Sequence, residues 1–549
     1  MHPHTTSSER FTPVPAFWQR PRFWQWLSVA LVVPALFFNL GFLPLDTGSD
    51  EPRRALVALE MLLSGDYITP TLNGELYLNK PPLYNWLIAA SFRLFGNYSA
   101  FALRFPMAVS LLLYALTVFA FVRRYATQPI AFAAALMLVT NARVLLYDSM
   151  LGLIDITFSW VTYTAFLLVY HYDQKKKYTA LFVTTYALTA IGFLMKGLPS
   201  GVFQGLTLLA WFGYTRRWKL LFHPAHFLGI GVFMLIAGAY YIAYFTRNNI
   251  PVTEVFGVLF YESSRRTVVE FGIGETLLHL LTFPIDMQHY YAPWMLLIVL
   301  LFRPGVRRLL TENRFILFNA LTFFVNFVVY WSSPQVYARY LIMLLPLLFT
   351  VLVYIYYERT SAAAWQRRLV EGVWLAASVV VTAGTWVAMF FPETQAIAGL
   401  FWKVPILFVV LGLIAYQYLR QPALRLTLFI AFMLVVRIGF NWLVIPPRLA
   451  HRQLYKDTSE QAARLTLDAN GRPLPLFGYK HTIGDDGATD VNSFHIEAVR
   501  GEILGVTDRK IPGAYYIADS TSLVGEQYEV IGDILLFDGH QAKIVRFSN

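Results

Sequence analysis

Apolar runs of roughly 18–22 residues, each long enough to cross a ~30 Å hydrocarbon core, recur along this chain from Trp24 to Ile445. No single water-soluble core can absorb so many uninterrupted apolar segments, so the chain has lipid as its solvent and helices as its spanning elements. The charge content agrees: 14% of the 549 residues are charged and 57% hydrophobic, where soluble domains carry about a quarter charged residues. By length and flanking charge we expect about 13 spans. They fall near 24–44, 102–122, 128–146, 152–171, 179–195, 199–214, 226–245, 291–302, 315–331, 340–357, 370–390, 402–419 and 424–445. Arg10, Arg20 and Arg22 precede the first run, which is long and lacks a small-residue cleavage site, so it reads as a retained span.

Alternate loops are basic: Arg123-Arg124, Lys175-Lys176-Lys177, Arg216 to Lys219, Arg303 to Arg308, Arg367-Arg368 and Arg420 to Arg425. The positive-inside rule puts all of them, with the N-terminus, in the cytoplasm, and an odd span count then sends the C-terminus outside. This pattern also accounts for the net charge of +11, which in a soluble chain would suggest nucleic acid; no nucleic-acid partner is expected. Absence of cysteine excludes disulfides and thiolate metal sites.

Two outer loops are long, Asp46 to about Phe101 and Arg247 to about Tyr290. Each contains amphipathic stretches, such as Arg53 to Leu63 with Leu56, Leu59, Leu62 and Leu63 on one side, ended by Ser64-Gly65. Such helices suit the membrane interface and can roof a cavity. Composition changes after Ile445-Pro446-Pro447. From 446 to 549 there are 11 Lys and Arg against 14 Asp and Glu, with a helical stretch at 458–467 and short strand-like runs at 514–518, 534–537 and 542–547. We therefore expect a transmembrane domain at 1–445 and a small extracytoplasmic α/β domain at 446–549. The tail has no Gly-rich phosphate loop, which favours a structural or partner-binding role.

The residues suited to chemistry gather on the outer side. Asp50 and Glu51 open the first long loop, where a carboxylate can take the proton of a poorly nucleophilic hydroxyl; helix capping before Pro52 would also explain them. Arg53 follows. Lys80, fixed before Pro81-Pro82, suits a lipid phosphate at headgroup level, although a snorkelling lysine would look the same. Arg104 lies deeper in its span than snorkelling favours. Asp148 lies between the third and fourth runs, as a cap or as a catalytic carboxylate, and Asp155 lies a few residues into the fourth, where no cap explains it. Lys196 ends the fifth run against the charge bias. Arg265, Arg266 and His289 occupy the second long loop, and Arg339 and Tyr340 follow the ninth run. Basic groups on that face suit a carrier phosphate, and His289 suits a ligand, an acid or the interfacial aromatic zone. The cytoplasmic face shows no nucleotide-binding loop, so a catalyst on the outer face needs a donor sugar already linked to lipid.

The ordered set Asp50-Glu51, Leu63-Ser64-Gly65-Asp66-Tyr67, Asn79-Lys80-Pro81, Gly192 to Gly197 and Pro293-Trp294 resembles the GT-C superfamily of membrane glycosyltransferases. The likeness is to dolichyl-phosphate-mannose-protein mannosyltransferases and their bacterial branch, which includes the lipid A aminoarabinose transferases. It spans roughly 20–350 and implies a GT-C-type fold, with inverting transfer from a polyprenyl-phosphate sugar to lipid A, a protein or another envelope glycan. Asp50 would be the base, with Lys80 and an arginine of the second loop on the carrier phosphate. The aminoarabinose transferases have Glu before that lysine, near a bound metal. Asn79 stands there in this chain, which weakens the case for a divalent metal without removing it. The resemblance implies a bacterial inner-membrane location with the site facing the periplasm. The rival classes are a transporter or flippase of lipid-linked sugars, which would show internal repeats and polar groups at the midplane, and a non-catalytic envelope scaffold.

Overall fold

A computed structural model describes residues 17–46, 48–264, 268–480, 482–484, 489–537 and 539–548. Arg265 and Arg266 lie outside the described residues. Among the described residues, seven helices are long and apolar enough to cross a membrane: Ala100–Tyr125, Tyr178–Lys196, Pro224–Arg247, Arg314–Trp331, Trp365–Met389, Leu400–Arg420 and Pro422–Leu443. An eighth span is reached if the bent pair Gln128–Thr140 and Ala142–Met150 crosses as one unit, its halves inclined by 44°. The remaining expected runs are shorter or less apolar. The 24–44 run gives Pro21–Phe37, and 340–357 gives Leu345–Tyr354. The 291–302 run gives a 3-10 segment, Trp294–Leu301.

Local chemistry sets these bounds. Ser99 caps Ala100–Tyr125 by accepting from Ala102 N, and Arg123 and Arg124 close its last turn against the partial negative charge of the helix end. The 128–146 run breaks at Asn141, whose side chain accepts from Val144 N and so starts a second helix. Ile154–Gln174 is buried on nearly all sides, with Tyr178–Lys196 packed along it and Pro224–Arg247 beyond.

The first long loop forms the helix Glu51–Ser64, closed by Gly65 at φ 73° where only glycine is unstrained. The sequence suggests that this helix lies flat in the membrane interface. Instead Leu56 and Leu59 are buried and its other faces are covered too, because it is packed between the Leu83–Phe95 helix and the C-terminal unit. A hairpin of β1 (Thr71–Leu72) and β2 (Glu75–Leu76) follows it.

After the last span and the Pro446–Arg448 turn, the helix Leu449–Leu465 opens the C-terminal unit. Its sheet contains β3 (Leu476–Tyr479), β4 (Gly505–Thr507), β5 (Tyr515–Ala518), β6 (Tyr528–Leu535) and β7 (Gln541–Phe547) in the order β4-β3-β5-β7-β6. β3 runs parallel to β4 and β5, whereas β7 is antiparallel to β5 and β6. Ala462 and Ala463 of the first helix and Ile496 of the helix Asp490–Arg500 share a core with Ile517, Ile534 and Ile544.

Candidate active site

Four elements bring a line of charges together. Asp50 occupies the N-cap position of the Glu51–Ser64 helix but its side chain makes no capping bond there. Its Oδ2 instead accepts from Arg339 Nη2 at 3.1 Å, and the side chain remains 58% exposed. Arg339 lies in the short turn Ala338–Leu341 and places its Nε 3.3 Å from Asp155 Oδ2. Asp155, in the first turn of Ile154–Gln174, accepts from Lys196 Nζ at 2.5 Å, and Lys196 is the last residue of Tyr178–Lys196. The result is a chain of alternating sign, Asp50–Arg339–Asp155–Lys196, with one carboxylate end open.

Aromatic rings floor it. Lys196 Nζ sits 3.9 Å from the centroid of the Tyr340 ring, and the Arg339 guanidinium is 4.3 Å from that of Tyr337. A ring face holds a cation without neutralising it, so both cations keep charge to offer an anion. Lys80 approaches from the first long loop, half-buried, 3.7 Å from Glu262 of the Val252–Ser264 helix and within electrostatic reach of Asp155. It also lines a cleft with Tyr77, Pro81, Tyr240, Tyr241 and Tyr244.

Other candidates take structural places. Glu51 is fully buried. Burial would raise its carboxyl, but Arg104 and the N–H groups of Gly152 and Asp46 hold it below the ordinary glutamate range. Arg104 grips both its oxygens at 2.7 and 2.8 Å and spends its other N–H groups on the carbonyls of Leu40, Leu43 and Pro44. The expected catalytic Glu51 and substrate-binding Arg104 are thus spent in this structure on each other and on backbone groups. Asp148 is buried, paired with Arg143 at 3.1 Å and within electrostatic reach of Arg339. Arg53 turns away to Asp490 of the C-terminal unit at 2.8 Å. His289 is exposed at the end of the Val268–Tyr290 helix with its ring edge-on to Tyr290. The structure thus gathers Asp50, Lys196, Arg339 and Tyr340, adds Lys80 nearby, and puts Asp155 at the centre.

Asn79 is a neutral amide, Lys80 brings a positive charge, and among the described residues no group of three or more His, Cys, Asp or Glu could hold an ion.

The sequence profile of the dolichyl-phosphate-mannose-protein mannosyltransferase family matches residues 79–242, which include Lys80, Asp155 and Lys196. An undecaprenyl phosphate-alpha-4-amino-4-deoxy-L-arabinose arabinosyl transferase of Shewanella sediminis is 33% identical over 191 residues, 32% of this chain and 34% of that protein. The chain thus spans about a third of that curated relative's length. The crystal structure of ArnT from Cupriavidus metallidurans in the apo state covers 95% of this chain and 98% of its own, at a TM-score of 0.68 and 19% identity. The same protein bound to undecaprenyl phosphate gives a TM-score of 0.66 at 18% identity. The likeness to these two structures is one of fold and extends along nearly the whole chain.

Proposed function

We propose that this chain is a glycosyltransferase that moves a sugar from a polyprenyl-phosphate carrier to an envelope acceptor at the outer face of the cytoplasmic membrane. The observation that carries the reading is the alternating ion chain ending in the exposed carboxylate of Asp50. The arabinosyl transferase of Shewanella sediminis supports an undecaprenyl-phosphate sugar as donor, and the bound carrier in the Cupriavidus metallidurans structure supports the same class. The six basic loops support a cytoplasmic side opposite this site.

Asp50 acts as the general base. Its carboxylate takes the proton of the acceptor hydroxyl while that oxygen bonds to the anomeric carbon. The bond from this carbon to the carrier phosphate breaks, its electron pair leaves on the phosphate oxygen, and the anomeric centre inverts. Lys80, Lys196 and Arg339 receive the growing phosphate charge. Asp155 fixes Lys196 and Arg339 side by side despite their like charges, so the cations need not reorganise during the reaction. The acceptor is lipid A, a protein hydroxyl or another envelope glycan.

The test is transfer by the full chain in liposomes, supplied with labelled undecaprenyl-phosphate sugar and envelope acceptors. Label should pass to an acceptor with inverted configuration. Donor that crosses between leaflets without any transfer would indicate a transporter instead.

A further inference from the structure

The C-terminal unit meets the candidate site through one helix. Asp490 is the first residue of Asp490–Arg500, and its side chain is 1% exposed. Val491 and Phe494 of this helix belong to the apolar core of the membrane domain, and the Phe494 ring lies 6.3 Å from that of Phe92. Ile496 belongs to the core of the sheet. The helix is therefore shared by both units and is fixed against Glu51–Ser64, the helix that presents Asp50.

Arg53 stands about one turn after Asp50 on that helix, within electrostatic reach of both Asp490 and Asp50. Its Nε donates to Asp490 Oδ2 at 2.8 Å. A guanidinium with two carboxylates in reach favours the buried one, where the lower dielectric strengthens the pair. Asp50 is left to Arg339 and to solvent.

We propose that Asp490 is a positioning residue that holds Arg53 away from Asp50, so that the C-terminal unit keeps the carboxylate available as a base. The inference rests on Asp50 being that base. Among the described residues, the charged and titratable groups facing Asp50, Arg53 and Asp490 include Arg339 on the Ala338–Leu341 turn, Asp155, Asp148 and Tyr340 acting on Arg339, Tyr77 acting on Arg53, and Glu60 acting on Asp490. Without Asp490, Arg53 moves onto Asp50, stabilises its ionised form and weakens it as a base.

The experiment uses full-length Asp490→Asn, Asp490→Glu, Arg53→Gln, the double variant Asp490→Asn with Arg53→Gln, and Asp50→Asn, all assayed with undecaprenyl-phosphate sugar. Asp490→Asn should lower kcat about tenfold at unchanged donor KM and move the acid limb of the pH–rate profile about one unit to lower pH. Asp490→Glu should retain the profile, and removing Arg53 in the Asp490→Asn background should restore both rate and limb. A double variant as slow as Asp490→Asn, or a loss of stability with an unmoved acid limb, overturns the proposal. Normal turnover by Asp50→Asn would remove the base assignment itself. An inactive Asp50→Asn with no rescue in the double variant would remove only the role of Asp490.

Discussion

Asp50 and Glu51 are neighbours with the same functional group, and the fold gives them opposite surroundings. Glu51 is sealed, with both oxygens bound by Arg104 and by two backbone N–H groups. Asp50 holds one arginine contact and keeps more than half of its side chain open. A buried ion pair whose bonds are all made joins the first loop to the Ala100–Tyr125 helix and to Gly152, and it has no vacancy for a ligand. An exposed carboxylate at the end of a charge chain contributes little to holding the fold. Partner count and burial, rather than residue type, separate these two carboxylates.

The sharpest way to break this comparison is Glu51→Gln. It leaves the Arg104 charge buried without a counter-ion and should cost about 3–5 kcal/mol, read as a lower thermal midpoint and a poor yield of folded protein. A fully stable Glu51→Gln with a selective loss of turnover would put Glu51 in the chemistry after all. Lys196→Met should act the other way. Arg339 remains on Asp155, so the fold survives, while transfer slows by about 10²–10³ in initial-rate assays.

Glu60 marks a third kind of carboxylate, on the same helix but at the boundary with the C-terminal unit. Burial pushes it up to about 6, against hydrogen bonds from Thr71, Gly74 and Asn73 that pull it down. A glutamate raised in the folded state is penalised when ionised. Stability should therefore fall as pH rises from about 4.5 to about 6 and level off beyond, by roughly 2 kcal/mol. Thermal unfolding across that window should show the slope in the parent chain and lose it in Glu60→Gln. The smallest effect concerns the aromatic floor. Tyr340→Leu removes the ring face under Lys196 and should cost about 0.5–1 kcal/mol in transfer, while Tyr340→Phe keeps the face and much of the rate; comparing kcat/KM of the two separates ring from hydroxyl.

Much of the site is legible in the sequence because a charge at the end of an apolar run is costly unless it is used. That logic singles out Lys196, Asp155 and Arg339 without any knowledge of contacts. It says nothing about pairing at long range. Arg104 and Glu51 are 53 residues apart, and only the folded chain shows that each consumes the other. Asp155 is conspicuous as a charge in a span, but its place between two cations depends on how three helix ends meet. The spans show the same division. Apolar runs give the membrane class, whereas the break at Asn141 comes from a single capping side chain. The Asp490–Arg500 helix is the least legible: it is absent from the helical and strand-like runs read in the tail, yet it is buried between two cores.

The most direct measurement is single-turnover transfer by purified Asp50→Asn beside the parent chain, with thermal stability and binding of undecaprenyl phosphate recorded on the same samples. The account predicts an unchanged fold, unchanged carrier binding and a rate lower by about 10²–10⁴. A variant that folds, binds the carrier and transfers sugar at the parent rate would contradict it.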